Sequence, residues 1–149
     1  MICFDYTVAD AAIPEAGKGL FTAEDLDAGR ILVAPDRISD ICKLHELTDE
    51  KRASASTRWF EDTCTVAEHW PDECYINHSF TPNSQWHLGF TIALRPIKAG
   101  EEITMDYSHL LAEGVDAFTD TETGRVVRGL PWKEAYRIQL SSVLKAISD

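Results

Sequence analysis

Cys74-Tyr75-Ile76-Asn77-His78-Ser79-Phe80-Thr81-Pro82-Asn83 is the stretch on which the reading of this 149-residue chain turns. It begins apolar, then sets Asn77, His78 and Ser79 side by side. Neighbouring Asn and His offer donors and acceptors at fixed spacing, which suits a polar ligand held beside backbone amides. Pro82-Asn83 then turns the chain. Taken alone, the triplet serves equally well as a loop whose side chains cap their own backbone.

Two further stations lie outward from it. Upstream is Ala16-Gly17-Lys18-Gly19-Leu20, where glycine lets a backbone approach a ligand closely and adopt positive φ. With no third glycine and no helix after it, this is not a dinucleotide fingerprint, and alone it reads as a hairpin turn. Downstream, Gly100-Glu101-Glu102 leads into Ile103-Thr104-Met105-Asp106-Tyr107. The three stations, in this order, resemble the SET domain, the fold of most protein lysine methyltransferases.

That resemblance implies a mainly β fold: a β-clip of short sheets with a pseudoknot, in which the Asn-His-Ser segment and the segment near the terminal tyrosine cross. A short mid-chain helix and a C-terminal helix complete the expectation. Residues 1–112 would form the SET domain and 113–149 a C-terminal extension on the same body. It also implies Tyr107 as catalytic residue, and Gly17, Lys18, Gly19, Leu20, Tyr75, Asn77, His78 and Trp132 around S-adenosyl-L-methionine. Trp132 reads equally as a core tryptophan anchoring the last helix. Trp86 and Met105 fall where the lysine channel is expected. Relatives often carry a zinc-binding cysteine where this chain has Phe80, and Asp120, Thr121, Glu122 and Thr123 supply no thiolate, so no structural metal is expected.

Composition bounds the reading independently. At 44% apolar and 26% charged residues the chain is that of a single globular domain. A net charge of −11 argues against a nucleic-acid surface, which needs clustered Lys and Arg. It favours a basic protein or peptide partner through steering. Its plainer role is solubility. The four cysteines, at 3, 42, 64 and 74, show no C-x-x-C spacing and read as reduced thiols. His45 and His69 have no cysteine or carboxylate at ligand spacing. Neither a signal peptide nor a membrane span is legible, so an intracellular, cytoplasmic, soluble protein is the expectation. A homodimer stays open.

Periodicity supplies the elements. Ile2, Phe4, Tyr6 and Val8 alternate as a half-buried strand does. Ser39 to Thr57 carries Ile41, Leu44 and Leu47 at helical spacing and reads as helix with loop. Trp59-Phe60 and Thr63 to Val66 read as short strands, and Gln85–His87 with Phe90–Leu94 as a hairpin about Leu88-Gly89. Ala117 to Leu130 is polar and Thr-rich. Trp132, Tyr136, Leu140, Val143, Leu144 and Ile147 mark an amphipathic C-terminal helix.

The implied chemistry has a clear physical demand. Lysine has a pKa near 10.4, so presenting it neutral at pH 7 costs about 4–5 kcal/mol. A narrow apolar channel and a nearby sulfonium both disfavour the ammonium. Methyl transfer then depends on alignment. The alternative is a SET-fold binding module that has lost catalysis.

Overall fold

The computed structural model describes residues 1–36, 38–48, 56–67 and 70–148. Twelve short strands and one α-helix appear among them. β1 (Tyr6–Asp10) and β2 (Lys18–Thr22) form an antiparallel ribbon, closed through a 3₁₀ turn at Pro14–Ala16. β3 (Ile31–Val33) lies beside β9 (Phe90–Ala93), which pairs in turn with β8 (Ser84–His87). A second three-stranded sheet, in the order β4 (Ile38–Lys43), β6 (Thr63–Ala67), β5 (Ser56–Phe60), forms an insert between β3 and the central stretch.

β7 (Asn77–His78) and β10 (Thr104–Met105) run parallel, Asn77 opposite Thr104 and His78 opposite Met105. Parallel neighbours need a long crossover, here filled by the β8–β9 hairpin and the Pro96–Glu101 turn. This pair joins the two segments that the resemblance expects to cross. Leu20, Leu26, Leu32, Ile76, Ile97 and Ile103 pack behind it, each at most 2% exposed. Burial of each side chain contributes about 1.5–3 kcal/mol, which makes this cluster the anchor for the site above it.

Three expectations change. The opening alternation predicts a half-buried strand from Ile2, but β1 begins at Tyr6, Phe4 alone of the four is buried, and Ile2 only bridges Val33. In the mid-chain stretch, residues 38–43 are strand and Leu44–Glu46 is one 3₁₀ turn, while 49–55 lie outside the described residues. Ile38 and Ile41 are β-branched and find cross-strand partners on β6, so pairing overrides a helical spacing of only three residues. His69 also lies outside the described residues. The Thr-rich region forms a hairpin, β11 (Asp116–Thr119) with β12 (Val126–Arg128), turning at Gly124 with φ of 69°.

The last difference concerns α1 (Trp132–Ser148), which is present but docks by another face. Ala135, Gln139 and Ala146 are buried, whereas Leu140, Leu144 and Ile147 are 48%, 63% and 62% exposed. Small side chains allow close approach, and Gln139 supplies the polar contacts. Its Oε1 lies 3.1 Å from His87 Nδ1, and its Nε2 donates to the His109 carbonyl at 3.3 Å. No helix among the described residues is long and apolar enough to cross a membrane.

Candidate active site

The glycine hairpin, the Asn-His pair and the segment before Tyr107 are joined by side chains that reach backbone groups. Asn77 Nδ2 donates to the Lys18 carbonyl at 2.9 Å and to Glu102 Oε1 at 2.7 Å. The other carboxylate oxygen of Glu102 accepts from the Ala12 amide at 2.9 Å. Ile103 N donates to the Leu20 carbonyl at 2.8 Å, continuing the seam. Gly19 permits this approach, because a Cβ there would collide with the Glu102 carboxylate. Gly17, at φ 76°, has open space where its Cβ would stand. Lys18 itself is exposed and pairs with Asp10 at 2.6 Å.

Tyr107 closes the other side. Its hydroxyl donates to the Ile76 carbonyl at 2.7 Å, and its backbone amide donates to His78 Nδ1 at 3.1 Å. Burial, aided by the nearby Glu102 carboxylate, pushes the phenol up to about 12, so it stays protonated at neutral pH. His78 is buried and burial lowers its pKa, against a smaller opposing pull from Asp106. A neutral ring that accepts at Nδ1 carries its proton on Nε2. That Nε2 is buried with no hydrogen-bond partner among the described residues. Phe80, Tyr107 and Phe118 surround the imidazole, with ring centroids 4.5, 5.6 and 5.7 Å away. Arg125 lies 3.8 Å over the Phe80 ring.

A cavity of about 340 Å³ opens beside Tyr107, and Trp86, Met105, Ile76 and Trp59 share its wall. Asp36 and Glu73, both paired with the Met1 ammonium, lie at the same cavity, whose mostly apolar lining also carries Thr57, Thr65 and Thr91. The indole N–H groups of Trp59 and Trp86 are buried without partners among the described residues. Cys74 also lines the space, and burial pushes its thiol up to about 12, so it is no thiolate nucleophile at neutral pH.

The structure therefore brings Gly17 to Leu20, Asn77 and His78 together around one seam, and Tyr107, Trp86 and Met105 around one cavity. Tyr75 is half-buried against the core beside them. Trp132 is placed apart: it opens α1, does not line the cavity at Tyr107, and carries the Lys133 ammonium 5.5 Å from its ring. Sequence reasoning missed Trp59, Phe118 and Glu102 as site neighbours. For Phe118 the available signal was Phe118 and Val126-Val127 flanking a Thr-Gly124 turn.

The SET domain family profile matches residues 17–108. The chain belongs to the SET-domain family. Among solved structures it is similar to an active polycomb repressive complex 2 in the stimulated state, at 19% identity and TM-score 0.59, covering 87% of this chain and 18% of that one. It is also similar to ctPRC2 bound to S-adenosylmethionine, at 19% identity and TM-score 0.56, covering 87% of this chain and 20% of that one. A third neighbour is a humanized mutant of the Chaetomium thermophilum Polycomb Repressive Complex 2 bound to the inhibitor GSK126. There identity is 23%, TM-score 0.55, and the coverage 70% of this chain and 15% of that one. The SET-domain chain thus spans a fifth or less of the length of these neighbours, and at such identity they share its fold alone. No curated protein matches it at the level of sequence.

Proposed function

We propose that this SET-domain chain transfers the methyl group of S-adenosyl-L-methionine to the side-chain amine of a lysine in a basic protein. The observation that carries the reading is the position of Tyr107. A protonated, buried hydroxyl stands where the glycine–asparagine seam meets an apolar cavity. The local donor set suits an amino-acid-bearing cofactor. Asn77 spends its Nδ2 on Lys18 and Glu102 and leaves Oδ1 uncommitted among the described residues, while the Gly17 position leaves space beside the backbone. Gly17, Lys18, Gly19, Leu20, Asn77 and His78 would hold the cofactor, with Tyr75 behind them and Trp132 reaching it from the start of α1. Bound there, the cofactor supplies an electrophilic methyl on a sulfonium.

The remaining work falls to the protein. Trp86, Met105 and Trp59 exclude water from the cavity, which disfavours the ammonium form of an incoming lysine. The net charge of −11 favours a basic segment on approach, although Asp36 and Glu73 at the cavity are themselves paired with the Met1 ammonium. The Tyr107 oxygen, held by the Ile76 carbonyl, orients the amine; no proton leaves the phenol itself at neutral pH. Label transfer from methyl-labelled cofactor to a panel of lysine-rich proteins tests the proposal. Tyr107→Phe should lower transfer about 100-fold or more while cofactor binding persists. Cofactor binding by the wild type without transfer to any basic protein would replace the reading with a SET-fold binding module.

A further inference from the structure

The insert sheet carries a row of side chains that the site does not use. Register sets Cys42 of β4 opposite Cys64 of β6, and Cys64 in turn opposite Arg58 of β5. Residues directly opposite on antiparallel strands project from one face with Cα atoms about 4.5–5.5 Å apart. A disulfide spans roughly 4.4–6.8 Å between Cα atoms, so the pair stands within reach. Both side chains are thiols here and both are buried, at 9% and 2% exposure. Neither lines the cavity at Tyr107. Arg58 is buried beside them, its guanidinium bound to the carbonyls of Leu130 and His109 at 3.1 Å each.

We propose that Cys42 and Cys64 are a reversible redox pair that closes a cross-strand disulfide under hydrogen peroxide. Cys64 gives up its thiol proton as its sulfur attacks one peroxide oxygen, the O–O bond breaks, and the leaving hydroxide takes up that proton as water. The resulting sulfenic acid is attacked by the Cys42 sulfur; the S–S bond forms and a second water leaves with the Cys42 proton. Two thiols lose two electrons, and one peroxide becomes two waters. A dithiol reductant reverses the step by exchange. The disulfide fixes β4 to β6 on the face where Arg58 links the sheet to the segment after Tyr107.

The test treats the full folded chain with hydrogen peroxide, caps the remaining thiols with N-ethylmaleimide and maps the peptides by mass. The expected result is a loss of about 2 Da, two fewer caps, and a crosslinked peptide joining Cys42 to Cys64, all restored by dithiothreitol. In Cys42→Ser, Cys64 should instead give a dimedone adduct with no internal crosslink. The proposal is overturned if Cys42 and Cys64 stay fully capped while Cys3 or Cys74 oxidises, or if the crosslink joins another pair. Should Cys42→Ser fail to fold, the wild-type peptide map decides alone, and neither outcome bears on methyl transfer.

Discussion

The seam around Asn77 and the insert sheet β4-β6-β5 are fastened by opposite means. In the seam, short polar side chains reach backbone groups directly. Asn83 Nδ2 donates to the Glu102 carbonyl at 2.8 Å, its Oδ1 accepts from Thr104 N at 2.9 Å, and Ser84 Oγ donates to the Thr104 carbonyl at 2.8 Å. In the insert, Arg58 reaches across to two carbonyls of the body, while Ile41 and Phe60 stand 58% and 44% exposed. Motif residues thus carry the geometry of the first region. The second depends on a long cation whose receiving carbonyls exist only once the rest has folded.

Four measurements would break or sharpen this contrast. The largest loss is expected under the seam, where Leu20→Ala empties a fully buried position and should cost about 2–5 kcal/mol in urea unfolding. A cost below about 1 kcal/mol would mean the core anchor is misplaced. Arg58→Ala should cost about 1–3 kcal/mol, because two carbonyls lose a buried donor. Arg58→Met, which keeps bulk without charge, should recover part of it; an equal loss would show that packing alone holds the insert.

Acidification supplies the third. Burial lowers the pKa of both His78 and His109 from 6.5, so the unfolded chain takes up protons first as pH falls through that value. Their contribution to stability is present above about pH 6.5 and lost below it. Melting temperature followed from pH 8 to pH 5 should decline in the lower half of that range. A flat profile would remove the buried neutral imidazoles from the account. The smallest effect belongs to Leu144→Ser on the outer face of α1, which should stay within about 0.5 kcal/mol because 63% of the residue is already exposed. A larger loss would mean that this face is covered.

What the sequence disclosed follows the same division. That Asn77, His78, Gly17 to Leu20 and Tyr107 meet in one neighbourhood was legible only from the order of the three stations, since each station alone has other uses. The hairpin at Leu88-Gly89 was legible for a similar reason, since φ of 47° and 89° at its two central residues makes the mirror-image turn that suits antiparallel strands. The insert was not. Ile41, Leu44 and Leu47 fit a helix as well as they fit a strand followed by a turn, and only the partner strand β6 decides between them. The docked face of α1 was hidden too: periodicity finds an apolar stripe, but Ala135, Gln139 and Ala146 win by size and hydrogen bonding. Cys42 and Cys64 became neighbours only through register.

One absent atom sets the width of the cavity beside Tyr107. The indole nitrogen of Trp59 occupies the place over Gly89 where a methyl would stand, only 2.6 Å from that position. A side chain at position 89 would therefore push the indole outward and loosen the wall that Trp59 shares with Trp86. The room in that cavity thus depends on a hydrogen at a hairpin turn, away in sequence from the tyrosine it faces.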